Sequence, residues 1–307
     1  MRATARTLLS TRGRLELGRR PLLMGIVNAT PDSFSDAGER TTFGQRIELA
    51  SALIEQGADL IDIGGESGVT NRPPVTPEEE IERVVPLIAQ VAGELGALVS
   101  VDTYKPAVAR AAIAAGASIV NDVSGLRDPE LADVCAETGA ALVVMHTRAA
   151  PRERLQDPGL YEDVLGDVLA FLRERIEVAR ERGVAAEQLI VDPGPDFAKT
   201  PAQTIELLAG IDALHDLGRP LLLAISRKDF IGALTGRAPR ERLAGTLAAL
   251  AYGVEHGGHL FRVHDVAAAA DFLTVRAALE GSAPVARELA LSEDIRREGA
   301  GGRLGPR

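Results

Sequence analysis

Eight short apolar runs in this sequence each stop at residues whose side chains could do chemistry. In chain order the stops are Asn28; Gly64, Gly65 and Glu66; Asp102; Asn121 and Asp122; Met145 and His146; Asp192; Arg227 and Lys228; and Arg262 with His264. Singly, each has an ordinary reading. Asx residues often cap the helix that follows, and an isolated His is commonly a hydrogen-bonded structural residue. Together they fall into two sets. Asp102, Asn121 and Asp192, converging with Lys228, offer acceptors and donors that suit the edge of a planar, nitrogen-rich ring. Arg262 and His264 alternate on one strand and so point the same way. With Asn28 on the adjacent first strand, they suit a phosphate-like group.

The elements that must position these residues follow a repeated plan. Strand-like runs cover 22–27, 60–63, 98–101, 118–120, 141–144, 189–191, 220–225 and 260–263. Amphipathic helical stretches lie between and after them, at 43–56, 78–95, 105–115, 129–138, 161–182, 200–217, 240–256 and 266–280. Three helix-to-strand joints share a phrase built on Gly57, Gly116 and Gly139, where glycine enters the left-handed conformation cheaply and a strand starts at once. Eight strands alternating with eight helices predict a (β/α)8 TIM barrel, an α/β fold whose chemistry sits at the C-terminal ends of its strands. An open doubly wound sheet is the alternative. Residues 6–20 read as an N-terminal β-hairpin packed on the outside of the domain. One domain is expected over 1–283, followed by a polar tail over 284–307, with the Gly/Arg-rich end at 300–307 expected to be disordered.

The composition agrees. Of 307 residues, 46% are hydrophobic but only 3% aromatic, with no Trp. The core must therefore be built from Leu, Val, Ile and Ala, as in strands covered on both faces. Formal net charge is −10, which argues against nucleic acid and anionic membranes as partners. No apolar run approaches the roughly 20 residues that span a bilayer. The single Cys135 excludes an internal disulfide framework and, within a helical stretch, reads as a buried structural thiol. A cytoplasmic setting is expected.

The motifs MGIVNATPDSFSD (24–36) and GADLIDIGGES (57–67), followed by VSVDT, IVNDVSG, VVMH, VDPG, SRKDFIG and FRVHDV, resemble the dihydropteroate synthases of the pterin-binding family in order and spacing. The resemblance runs from about residue 22 to residue 281. It implies a (β/α)8 barrel, a homodimer, and a transferase that couples 6-hydroxymethyl-7,8-dihydropterin diphosphate to p-aminobenzoate with Mg2+, releasing diphosphate. It implies that Asp102, Asn121, Asp192 and Lys228 bind the pterin ring, with Met145 packed against it, and that Asp102, Asp192 and Lys228 are catalytic. Asn28, Asp36, Arg262 and His264 match the diphosphate site, and Asn28 also the metal site. Phe34, Arg72, Pro73, Phe197 and Asp229 fall at the aminobenzoate site. The family's reaction is dissociative: diphosphate leaves first, the carboxylates stabilise the resulting cation, and the first two loops exclude water.

Three stretches depart from the family pattern. The second loop reads GVTNRPP over 68–74, with Arg-Pro displaced downstream of its usual place. The stretch from Gly194 to Lys199 carries Pro195 and Ala198, which restrict the backbone around Phe197. Asp229 follows Lys228 where the family has Ser or another neutral or basic residue. It is a good N-cap for the next helix, but its carboxylate would also repel an anionic acceptor, which predicts weak aminobenzoate affinity. Other readings are therefore a diverged pterin-binding homologue without synthase activity or with a different amine acceptor, a methyltetrahydrofolate methyltransferase-like protein, and a generic phosphate-binding barrel. The diphosphate set counts against the methyltransferase, and the TPDSFSD loop against the generic barrel.

Overall fold

The computed structural model describes residues 6–18, 20–30, 42–66 and 74–292. An antiparallel hairpin, β1 (Arg6–Ser10) and β2 (Gly13–Leu17), precedes eight strand–helix units. These are β3 (Leu22–Asn28) and α1 (Phe43–Glu55), β4 (Leu60–Gly64) and α2 (Pro77–Gly93), β5 (Leu98–Asp102) and α3 (Pro106–Ala114), and β6 (Ile119–Asp122) and α4 (Glu130–Thr138). There follow β7 (Ala141–Met145) and α5 (Val164–Glu181), β8 (Leu189–Asp192) and α6 (Pro201–Ala209), β9 (Leu222–Leu223) with α7 (Asp229–Thr235) and α8 (Leu243–Glu255), and β10 (Leu260–Val263) with α9 (Val266–Leu279). The parallel sheet runs β8-β7-β6-β5-β4-β3-β10-β9. A parallel bridge between Val191 and Leu221 brings its two ends together, with Val191 N–H donating to the Pro220 carbonyl at 3.0 Å. The sheet is a barrel, not an open sheet.

Two apolar layers hold it. Met24, Leu60, Ile119, Val143, Ile190 and Leu260 fill the barrel interior, while the opposite faces of the strands meet the helices in a larger core. Leu8 and Leu17 of the hairpin belong to the interior cluster and are buried. The hairpin is therefore the floor of the barrel rather than an outer ornament, and it leaves the C-terminal mouth as the open end. Helix starts are set locally. Thr42, Thr76 and Thr200 each form a capping box with Gln45, Glu79 and Gln203, tying down otherwise unpaired backbone N–H groups. Glycines at the three shared joints have φ of +100°, +116° and +78°.

Some expected boundaries move. The 200–217 helix breaks at Gly210 and continues as a 3-10 turn over Ile211–Leu217. Glycine disfavours helix continuation there, and Leu165 Cδ2 packs where its Cβ would be. The 220–225 strand shrinks to two residues, and at its start Pro220 has no N–H to give the ladder. The 161–182 helix starts at Val164, where Asp163 accepts from Gly166 N–H at 2.9 Å. Cys135 is buried, and burial pushes its thiol up to about 12, so it is an inert packing group. No helix among the described residues is long and apolar enough to cross a membrane.

Candidate active site

Register explains why the polar strand ends meet. Asn28, Gly64, Asp102 and Asn121 are partners in turn across β3, β4, β5 and β6, so their side chains share one face of the sheet. Asp62, two residues before Gly64, faces the same way one layer deeper and has no solvent exposure. Its Oδ2 accepts from Arg262 Nε at 2.7 Å and from Asn121 Nδ2 at 3.3 Å. Arg262 Nη2 reaches Asp102 Oδ2 at 3.0 Å. The two sets separated in the sequence are thus physically one, because Arg262 spans a ring-set carboxylate and a carboxylate that sequence reasoning missed. A signal for Asp62 existed: a charge inside the apolar run LIDIG, at the alternation that shares a face with Gly64.

Across the mouth, Met145 and Asp192 are register partners on β7 and β8. Asp192 Oδ1 accepts from Gly194 N–H at 2.7 Å. Burial pushes Asp192 up to about 6, although that hydrogen bond and the charge of Lys228 pull it down. Asp102 is pushed up to about 7 by burial, against Arg262 and with help from Asp62. Lys228 is lowered by burial despite Asp196 and Asp192 nearby. Arg262 suffers burial too, but Asp62 and Asp102 outweigh it and hold its guanidinium charged. His264 pairs Nδ1 with Ser226 Oγ at 3.0 Å. Burial and Arg262 push it down to about 4, so near neutral pH it is a hydrogen-bonding group and not a cation. Such a floor holds buried carboxylates poised between charge states beside fixed cations, which suits a polar ring whose charge changes during reaction.

Several strand-end residues take the ordinary reading. Asp122 accepts from the N–H groups of Ser124 and Leu126. Arg227 pairs with Asp265 at 2.6 Å. His146 is fully buried between Asp167 and Lys199. Glu66 ties down both sides of the second loop: it accepts from Val75 N–H at 2.9 Å, Tyr104 Oη at 2.7 Å and Lys105 Nζ at 3.1 Å. Lys105 in turn reaches Glu80 at 2.6 Å.

Above the floor lies a cavity of about 570 Å³ that touches Asn28, Asp102 and Arg262 on its inner side and Phe197, Asp196 and Asp229 on its outer side. Lys228 Nζ lies 4.3 Å from the Phe197 ring centroid. Asp229 does not cap α7. The N-cap is Lys228, without a side-chain bond. The capping acceptor comes from another loop, as Asp196 Oδ2 takes the N–H groups of both Asp229 and Phe230. The Asp229 carboxylate, largely exposed, pairs instead with Arg242 at 3.0 Å. Phe34, Asp36, Arg72 and Pro73 lie outside the described residues. Among those described, no group of three or more His, Cys, Asp or Glu is arranged to hold a metal ion.

A family model described as "Pterin binding enzyme" matches residues 24–264. The dihydropteroate synthase of Bacillus subtilis (strain 168) is 42% identical over 253 residues, covering 82% of this chain and 86% of that protein. Among solved structures, Xanthomonas albilineans dihydropteroate synthase with 4-aminobenzoic acid superposes with a TM-score of 0.80 at 44% identity, covering 88% of this chain and 96% of that one. Burkholderia cenocepacia dihydropteroate synthase complexed with 7,8-dihydropteroate gives a TM-score of 0.80 at 40% identity, over 91% and 99% of the two chains. This chain belongs to the pterin-binding enzyme family.

Proposed function

We propose that this chain is a dihydropteroate synthase, which condenses 6-hydroxymethyl-7,8-dihydropterin diphosphate with p-aminobenzoate to give 7,8-dihydropteroate and diphosphate. The observation that carries the reading is the meeting of Asp102, Asn121 and Arg262 around the buried Asp62, on the mouth that Asp192 and Lys228 also face. Relatives named for binding 4-aminobenzoic acid and 7,8-dihydropteroate support the choice of substrates.

In this reading the pterin ring lies on the floor, its edge met by Asp102, Asn121, Asp192 and Lys228, with Met145 against its face. The C–O bond to diphosphate breaks, its electron pair leaving with the diphosphate. Asp102 and Asp192 stabilise the positive charge that spreads from the methylene into the ring. Arg262 uses two of its five N–H donors on Asp62 and Asp102, which leaves three for the departing anion. His264 adds a hydrogen bond. The arylamine nitrogen then attacks the methylene, and the proton it loses passes to the released diphosphate or to solvent. It is already a nucleophile, so no strong general base is required.

Mg2+ fits the donor chemistry in one way. Asn28 offers a single hard oxygen at the cavity wall, and among the described residues no carboxylate cluster competes for the ion. Diphosphate oxygens and water would complete the coordination, the partly hydrated arrangement Mg2+ prefers. When bound there, the ion offsets charge on the leaving diphosphate. A homodimer belongs to the same reading, supported by an apolar face on α8 and α9 where Val275 and Leu279 are exposed beside Leu247 and Phe272. The single buried thiol fits a cytoplasmic setting.

One observation favours an acceptor preference shifted away from anions. Asp196 already occupies the N–H groups at the start of α7, and Asp229, its charge partly offset by Arg242, adds a second carboxylate to the same rim. An anionic acceptor meets repulsion there, so aminobenzoate binds weakly and an uncharged arylamine competes well. Mass spectrometry of reactions with both substrates tests the reading. Dihydropteroate is the expected product, and its absence alongside tight binding of the pterin diphosphate supports the diverged homologue instead.

A further inference from the structure

Lys199 is an ionisable side chain with no solvent exposure, its ammonium pushed down to about 7 by burial against the pull of Asp192, and the reaction outlined above gives it no task. Its Nζ lies 2.8 Å from His146 Nδ1, 2.9 Å from the Gly194 carbonyl oxygen and 3.1 Å from that of Phe197. The direction of this hydrogen-bond chain is set from its outer end. Burial raises the Asp167 carboxyl, but hydrogen bonds from Arg148 and His146 outweigh it and hold it below its ordinary value. Asp167 is therefore ionised and can only accept. His146 Nε2, 2.9 Å from Asp167 Oδ1, carries the ring proton, which makes Nδ1 the acceptor for Lys199. In its protonated form Lys199 has three N–H donors, and three acceptors meet them.

The two carbonyls belong to one short loop. Between Asp192 and Lys199 the backbone enters the left-handed region at Gly194 (φ +64°), Asp196 (φ +64°) and Ala198 (φ +51°). Two of these residues are not glycine, so the loop holds a conformation that local preference does not supply. There is no room to relax at its start, where a Cβ on Gly194 would lie 2.1 Å from the His146 carbonyl oxygen. Neighbouring elements grip the rest: Tyr161 Oη donates to the Ala198 carbonyl at 3.0 Å, and Thr204 Oγ1 to Asp196 Oδ1 at 3.0 Å. What the loop delivers is the Phe197 ring, set against Lys228 in the outer cavity wall.

We propose that Lys199 is a positioning residue of the acceptor half of the site: the Asp167–His146–Lys199 chain locks the strained 193–199 loop and thereby fixes the Phe197 ring that the arylamine packs against. The kinetic arm of its test rests on the synthase reading, and the spectroscopic arm does not. Because the sequence has no Trp, Phe197→Trp places a single fluorescent reporter on the loop. In that background, Lys199→Met removes the three donors at nearly constant length. Acrylamide quenching of the reporter is expected to rise severalfold. In the native background, Lys199→Met is expected to raise the aminobenzoate KM by about tenfold or more, as loss of three buried hydrogen bonds loosens the loop. Lys199 also helps keep Asp192 ionised, so the Kd for the pterin diphosphate weakens, but by less than about threefold on the same scale.

Equal weakening of both affinities, or unchanged quenching, overturns the proposal. Should Lys199→Met fail to fold, Asp167→Asn at the partly exposed end of the chain is the second variant. It must move quenching and acceptor KM in the same direction by smaller amounts, and no movement overturns the proposal. If the native protein makes no dihydropteroate, the synthase reading fails, while quenching still decides the role of Lys199.

Discussion

Replacing Asp62 by Asn would move the pH dependence of turnover without replacing any group that itself meets substrate. Burial pushes the Asp102 carboxyl up to about 7, Arg262 opposes that shift and Asp62 adds to it. Asp62 and Asp102 are held to neighbouring nitrogens of one guanidinium, at 2.7 and 3.0 Å. A like charge at that range raises a carboxyl by about one unit or more. The introduced amide oxygen can still accept from Arg262 and Asn121, so geometry is preserved while the charge goes. If Asp102 must be ionised to stabilise the cation, the acid limb of kcat/KM, which reports the free enzyme, drops from near 7 to about 6 or lower. At pH 6 the ionised fraction then rises from about one-eleventh to about one-half, a gain of about fivefold once rates are normalised to pH 8. Normalisation removes any uniform loss of activity. The sign for stability follows the same logic. A carboxyl raised in the folded state binds its proton more tightly there than in the unfolded chain, so stability declines as pH rises from about 4 to about 7, and Asp62→Asn flattens that decline. An acid limb that stays in place or moves upward refutes the reasoning.

Three other substitutions probe separate parts of the account. Asp196→Asn keeps an acceptor for the Asp229 and Phe230 N–H groups but removes a charge on the order of 1 kcal/mol in effect; the aminobenzoate KM is expected to fall about fivefold while that of an uncharged arylamine stays put. Leu8→Ala opens the barrel floor and is expected to cost about 2–5 kcal/mol in denaturant unfolding, with kinetic constants unchanged. Gly194→Ala meets the His146 carbonyl and an unfavourable φ at once; calorimetry is expected to show loss of pterin diphosphate binding, because the N–H held by Asp192 must move.

The barrel was legible because its strands are continuous apolar runs that each end at a polar residue, and the parallel register then carried Asn28, Asp102 and Asn121 onto one face. What escaped depends on contacts between segments distant in sequence. Asp62 becomes part of the site through Asn121 and through Arg262, 59 and 200 residues later. Asp229 looked like an N-cap by local rules, yet the cap arrives from Asp196 on another loop. Nothing near Lys199 in sequence marks it as buried. The hairpin was recognised, but its place in the floor follows from which residues Leu8 and Leu17 pack against, which periodicity does not encode.

Diphosphate release from 6-hydroxymethyl-7,8-dihydropterin diphosphate, followed with and without p-aminobenzoate in Mg2+ buffer, tests the central claim most directly. Release that depends on aminobenzoate and saturates at high concentration is the expected result, the weak acceptor affinity reflecting Asp196 and Asp229. Tight donor binding with no aminobenzoate-dependent release would contradict the assignment of this site to dihydropteroate synthesis.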